Sequence, residues 1–400
     1  MTSVLFDRET LDDLVSEMLP DAVDLRREIH RHPELGIDNP DTQRRILDAL
    51  SGLGLEISTG GTLTSVVADL VGAFPGPTLL LRADTDALPM TEESGEPFSS
   101  IVPGRAHACG HDSHVAMLVA AARILSEHRD ELAGRVRFIF QPGEEGPGGA
   151  KAMIDEGVLD GVDAAFALHI SPNLPVGYVA CRPGPIMAAT DDFLVTVKGK
   201  GGHASTPHFG NDPIPVACEM VLAVQTMVTR RIDAFNPAVV TVGRIAAGST
   251  VNVIPETAEL LGTIRTVSDW TRMSVTAGFE RVVRNIAAAH ECEIDVRMTP
   301  GYSVVRNDVS FVEFAEKVAT EVLGEGKYFE LPSPIMGAED FGYILERVPG
   351  AMAFLGVCPA DIENSLEAPS CHSNVMRLNE DGMAHGIAMH VGIATNYLAL

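Results

Sequence analysis

The 400-residue chain is 46% hydrophobic and carries a formal net charge of −26 at pH 7. That length suits two or three domains with a substantial core, and so acidic a surface argues against nucleic-acid or anionic-membrane partners. No run of about eighteen uninterrupted apolar residues occurs, and acids interrupt the stretch from Met1 to Leu19, so neither a membrane span nor a signal peptide is expected. The six cysteines, at 109, 181, 218, 292, 358 and 371, show no close pairing and are expected to be free thiols in the cytoplasm.

In chain order, apolar residues from Leu11 to His30 recur at helical spacing, and Asn39-Pro40 reads as an N-cap with Pro at the first helical position. Thr64 to Val71 and Thr78 to Arg82 read as strands flanking a Phe-Pro-Gly-Pro turn, which predicts a hairpin. A helix over Val115–Leu125, a strand over Arg135–Phe140, a glycine-initiated helix over Gly148–Leu159 and strands over Asp163–Ile170 and Gly177–Cys181 follow. This alternation predicts an α/β fold with a largely parallel or mixed sheet.

The texture changes after Pro183-Gly184-Pro185. A strand over Phe193–Val197, a helix over Ile214–Arg231 and strands over Val239–Ile245 and Ala258–Arg265 come next. A helix over Asp269–His290 and a strand over Glu293–Met298 complete the set. The β-α-β-β-α-β order predicts a ferredoxin-like α+β satellite over 186–298, inserted into a catalytic domain formed by 1–185 and 299–400. Thr299-Pro300-Gly301 would be the return hinge.

The densest chemistry lies in Arg-Ala-His-Ala-Cys-Gly-His-Asp-Ser-His at 105–114. His107, Cys109, His111 and His114 place four metal-competent side chains within eight residues. Glu144-Glu145 follow an apolar strand and are bracketed by Gly and Pro, which holds adjacent acids on rigid, non-helical backbone. A solvated turn is the plain alternative. On such backbone the two carboxylates diverge, so one could bind metal while the other handles a proton. Asp84 and Asp86 follow the strand containing Leu79-Leu80-Leu81, His169 ends another strand, and loops at the carboxyl ends of parallel strands converge on a crevice. Spacing alone leaves open which of His107, His111 and His114 bind metal. The pattern predicts a metal hydrolase; a cysteine hydrolase with Cys109 as nucleophile and a structural metal site are the rivals.

Several segments together carry a family resemblance that spans nearly the whole chain. They are 25–35 (Leu-Arg-Arg-Glu-Ile-His-Arg-His-Pro-Glu-Leu), 82–89, 107–112, 141–151, Gly201-Gly202-His203-Ala204 and Gly337-Ala338-Glu339-Asp340-Phe341. The sequence resembles the dimetal amidohydrolases that include hippurate hydrolase and the indole-acetyl-amino-acid hydrolases. The resemblance implies a zinc-peptidase-like catalytic domain with a lid that also dimerises, and metal-dependent hydrolysis of N-acyl amino acids. Dimetal dipeptidase or N-acetyl-diaminopimelate deacetylase activity are the related alternatives. It implies Cys109, His111, Glu145, His169 and His372 as ligands of two divalent ions, zinc first, with manganese, nickel or cobalt as substitutes. Glu144 takes the place of the general base, Asp86 that of an acid orienting a ligand, and His203 that of the residue polarising the scissile carbonyl. Asn252 and Arg265 fall at substrate-contact positions. Asp84 sits where more distant dimetal peptidases carry a metal-binding His, so no ligand role follows for it. The chain departs from the family pattern at the middle of 203–208 and at Ser113.

Overall fold

The computed structural model describes residues 5–146 and 148–399; Met1–Val4, Pro147 within the turn after Glu145, and Leu400 lie outside them. The chain divides into two compact units, Met1–Ile186 with Arg306–Ser333 and Asp340–Leu400, and Met187–Val305 with Pro334–Glu339.

The first unit opens with helix α1 (Arg8–Arg31), whose N-cap Asp7 side chain accepts from Thr10 N. Its buried face carries Leu11, Val15, Ala22 and Ile29, together with Arg26 and His30 one turn apart. Helix α2 (Pro40–Leu50) has Pro at its first position as expected, but Asn39 makes no side-chain cap bond. Glu34 caps it instead, its carboxylate accepting from Asp41 N and Thr42 N.

The eight-stranded mixed sheet contains β1 (Glu56–Thr59), β2 (Val66–Val71), β3 (Phe74–Asp84), β4 (Ala133–Gln141), β5 (Ala164–Ser171) and β6 (Val179–Cys181). The strands Tyr328–Glu330 and Gly350–Gly356 complete it, and the spatial order is β1-β2-β4-β3-β5-(350–356)-β6-(328–330). The expected hairpin between β2 and β3 does not form. β4 lies between them, antiparallel to β2 and parallel to β3. The physical reason is burial: Leu79 to Asp84 are buried on both faces, which suits a central parallel strand and not one arm of an edge hairpin. The Phe-Pro-Gly-Pro stretch is the irregular start of β3, with a register shift between Phe74 and Thr78.

β4, β3, β5 and Gly350–Gly356 are mutually parallel, so Asp84, Gln141 and Ser171 finish at one end of the sheet. Helix α3 (His111–Glu127) begins at that end behind Gly110, whose φ of 82° lies in the left-handed region. A Cβ there would also stand 2.5 Å from Ile170 Cγ1, so only glycine allows the chain to turn at that spot. Helix α4 (Gly149–Asp155) follows the Glu pair and is shorter than expected.

The second unit has a four-stranded antiparallel sheet in the order (238–247)-(257–266)-(189–198)-(293–300). Helices Pro213–Arg231 and Asp269–Ala289 supply Val216, Met220, Val224, Val275, Phe279 and Val283 to a core with Phe193, Val195, Val197 and Ile264. This is the expected ferredoxin-like order. The return hinge is not at 299–301: Thr299 and Pro300 pair with Asp192 and Asp191 as strand, and Gly301 N donates to Thr190 O. The unit also includes Pro334–Glu339, where Gly337 O accepts from Ala188 N. Among the described residues no helix is long and apolar enough to cross a membrane.

Candidate metal centre

At the carboxyl end of the parallel strands, donor atoms from four separate segments converge. The ligand atoms of Cys109, His111 and His169 lie within 4.8 Å of one another, as do those of Cys109, Glu145 and His372, and those of His111, Glu144 and Glu145. Cys109 Sγ is 3.4 Å from His169 Nε2, and Glu145 Oε1 is 3.0 Å from His372 Nε2. One sulfur, three imidazoles and one carboxylate suit a borderline transition metal such as zinc.

The imidazoles are set for ligation by what their other nitrogens do. His111 Nδ1 donates to Asp86 O at 2.7 Å, and His169 Nδ1 donates to Ile170 O at 2.6 Å. Backbone carbonyls only accept, so these bonds aim each Nε2 into the cluster. His111 Nε2 is buried with no hydrogen-bond partner, Asp84 Oδ2 standing 3.5 Å away. A buried polar atom left unpaired in this way fits a metal ligand. Burial alone would disfavour a charge on His111, yet the Asp84, Asp86 and Glu145 carboxylates raise it to about 9. The same negative potential favours a metal ion in place of that proton. His169 is pushed down to about 3 by burial and by His114, so its lone pair stays available.

Of the three histidines the spacing left open, His114 groups with His111 and Asp84, their ligand atoms within 4.8 Å of one another. Its Nδ1 lies 2.6 Å from Asp84 Oδ1 and its Nε2 accepts from Ile170 N, so both nitrogens are used. His107 is buried 6.2 Å from the His30 ring and belongs to none of the groups above. Asp84 binds Arg82 and His114 and so steadies the floor of the site.

Asp86 accounts for the rigidity of the Glu pair. Its two oxygens accept from Glu144 N at 2.9 Å and Glu145 N at 3.0 Å. Burial raises its carboxyl to about 6. Glu144 is buried, with 6% of its surface exposed, and its carboxylate reaches the same cluster as that of Glu145.

Two buried networks around the cluster escaped the sequence reading. Arg82 donates to Asp84, Gln141 and Asp340, while Gln141 Nε2 and Ala150 N also donate to Asp340. Gln141 and Ala150 bracket the Glu144-Glu145 loop, so this network fixes both its ends. The second joins α1 to α3: Asp112 Oδ2 accepts from Arg26 Nε at 3.0 Å and lies 2.8 Å from His30 Nδ1, and Glu92 closes the other side of His30 at 3.1 Å. The signal was present as the i, i+4 pair Arg26 and His30 within the 25–35 motif, but its partners are remote in sequence.

Although burial opposes charge on His30, Asp112 and Glu92 raise it to about 9. A group with a raised folded-state value stabilises fully below its ordinary 6.5, and that contribution is lost as pH climbs through 9. Metal-free protein is therefore expected to lose up to about 3 kcal/mol between pH 6.5 and 9.5 through this group. Thermal melts across that window should fall for the wild type and stay flatter for His30→Asn; parallel curves would remove His30 as the cause.

The remaining candidates lie in the second unit. His203 is exposed on a short strand paired with Val253, and its Nδ1 accepts from Ser205 N at 3.1 Å, which leaves Nε2 to carry the proton. Asn252 O accepts from Ala204 N, so Asn252 and His203 share one groove, lined also by Gly201, Val253 and Pro255. Arg265 is at the far end of the strand Thr257–Thr266, beside Val239 and Thr190. Eight residues of strand separate it from Thr257, roughly 26 Å.

An α/β core that gathers sulfur, imidazole and carboxylate donors beside a further carboxylate is the build of a metal-dependent hydrolase. A family model described as peptidase family M20/M25/M40 matches residues 80–396, and the chain belongs to that family of amide-bond hydrolases. It is 40% identical over 338 residues to N-acetyl-L-cysteine deacetylase of Bacillus subtilis (strain 168), covering 84% of this chain and 80% of that one. It is 38% identical over 381 residues to the IAA-amino acid hydrolase ILR1-like 2 of Arabidopsis thaliana, covering 94% of this chain and 85% of that protein. Among solved structures, the Bacillus subtilis YXEP protein, a dinuclear metal binding peptidase from the M20 family, superposes with a TM-score of 0.82 at 33% identity. That match covers 96% of this chain and 99% of the other.

Proposed function

We propose that the protein hydrolyses the amide bond of N-acyl amino acids, releasing a carboxylic acid and a free amino acid. Two divalent ions, zinc in the first instance with manganese, nickel or cobalt as substitutes, would be held by Cys109, His111, Glu145, His169 and His372. The observation that carries this reading is the unpaired, buried His111 Nε2 among donors from four segments, with the Glu144 carboxylate beside them. The activities named for the Bacillus and Arabidopsis relatives supply the substrate class.

When bound, the ions would supply Lewis-acid activation of water and of the amide carbonyl. Glu144 takes the proton of the attacking water and returns it to the leaving nitrogen, which needs one carboxylate that moves between its two forms within a turnover. Asp86 holds both Glu amides so that Glu144 and Glu145 keep separate tasks. The Nε2–H of His203 is a donor suited to the developing oxyanion. Arg265 would pair bidentately with the free carboxylate of the amino acid. On this reading His203 and Arg265 reach one substrate from two different protomers of a homodimer. A homodimer through the second unit accords with this: Ala238–Ala247 is a sheet-edge strand, and Ile245, Leu261 and Leu222 are apolar and exposed. The six free cysteines accord with a cytoplasmic setting.

Chelated enzyme reloaded with single metals and offered N-acetyl, benzoyl, indole-acetyl and long-chain acyl amino acids is expected to release free amino acid only with metal present. Turnover of fully chelated enzyme with an acyl group trapped on Cys109 would overturn the reading in favour of a cysteine nucleophile. Arg265→Ala should raise KM for the best substrate by about 10- to 100-fold, the worth of a charged hydrogen bond. An unchanged KM would leave Arg265 as a solvated strand residue.

A further inference from the structure

Beside the cluster stands a second sulfur that the hydrolytic chemistry does not use, that of Cys371. Cys371 Sγ lies 3.9 Å from Cys109 O. Two features of the backbone enforce this meeting between residues 262 positions apart. His372 N donates to Ala108 O at 2.7 Å, tying the 370–373 turn to the loop before α3. His372 also adopts φ 70°, a left-handed conformation rare outside glycine, which turns the chain there so that Cys371 and His372 both approach that loop. The other four thiols are placed differently: Cys181 donates to Met352 O, Cys358 to Pro359 O and Ile362 O, Cys218 is exposed, and Cys292 is buried in the core of the second unit.

We propose that Cys109 and Cys371 form an oxidation site that closes a disulfide on reaction with a peroxide. The Cys109 sulfur attacks one peroxide oxygen, the O–O bond breaks, and the departing oxygen leaves as water with the thiol proton, giving a sulfenic acid. The Cys371 sulfur then attacks the oxidised sulfur, an S–S bond forms, and the sulfenic oxygen leaves as a second water. Two thiols and one peroxide become one disulfide and two waters, and a dithiol reductant reverses the change. Both residues sit on loops and not within strands, so the shift that brings the sulfurs to bonding distance falls on those loops. On the reading above, in which Cys109 is a ligand, the disulfide removes one of five donors and releases metal. It also protects Cys109 from the irreversible sulfinic and sulfonic acids.

The test treats full-length, metal-loaded enzyme with hydrogen peroxide. Free thiols are then alkylated, and peptides, released metal and activity are followed together. The wild type should yield a joined pair of peptides containing Cys109 and Cys371, two hydrogens lighter than their sum, and should recover activity with dithiothreitol and zinc. Cys371→Ser should match the untreated wild type in basal activity, carry sulfinic or sulfonic acid at Cys109 after peroxide, and recover at least about 10-fold less activity. Wild-type Cys109 found as sulfinic acid with no joined peptide overturns the proposal, as does equal recovery in Cys371→Ser. Should the variant not fold, the wild-type peptide mass alone decides. A joined peptide formed without metal release supports the thiol pair and instead sinks Cys109 as a ligand.

Discussion

Glu144→Gln is expected to bind the wild-type complement of metal while turning over about 10²- to 10⁴-fold more slowly, the range for loss of a positioned general base. The exchange keeps shape and backbone, so the bonds from the amides of residues 144 and 145 to Asp86 persist. What disappears is the one property the reaction needs there, an oxygen that accepts a proton and gives it back. Metal content by elemental analysis separates this from a failure of ligation. If Glu144→Gln lost metal, Glu144 would itself be a ligand, since its oxygens share the cluster with His111 and Glu145. If it kept both metal and turnover, the base role would pass elsewhere.

Arg82→Leu is expected to cost about 3–5 kcal/mol and to lower the melting temperature by roughly 5 °C, because it strips the cation from a buried cluster of acids. Arg82 is 3% exposed, and Asp84 and Asp340 beside it are fully buried. Lysine should not restore the loss, since one ammonium cannot reproduce the guanidinium fork that reaches Asp84, Gln141 and Asp340 together. Gln141 leads into the Glu144 loop, so activity should fall along with stability. A melting temperature unchanged in Arg82→Leu would show that these carboxylates have other support.

The helices and most strands were legible because their signals are local. Pro40 starts α2, and the apolar runs at 79–81, 136–140 and 164–168 became β3, β4 and β5. The order of those strands was not legible. Short sequence separation suggested that β2 pairs with β3, whereas burial on both faces of β3 was satisfied by inserting β4, fifty residues further along the chain. The extension of the last satellite strand through Pro300 has the same origin, since only its partner on 189–198 reveals that Thr299 and Pro300 remain in register.

For the site, the sequence by itself determined which chemistries were possible. A thiol, imidazoles and paired carboxylates flanked by Gly and Pro restrict the choice whatever the fold. The tertiary structure decided which atoms meet. It left His111 Nε2 unpaired, used both nitrogens of His114, set Asp86 under both Glu amides, and put Cys371 against Cys109. It also placed His203 on a two-residue strand beside Val253, and Arg265 on a separate strand beside Thr190. The division has a single cause: residue type and neighbours fix what a side chain can bond to, but hydrogen bonding and ligation act over about 3 Å. Chain segments hundreds of residues apart come that close only through the packing of the sheet and its helices.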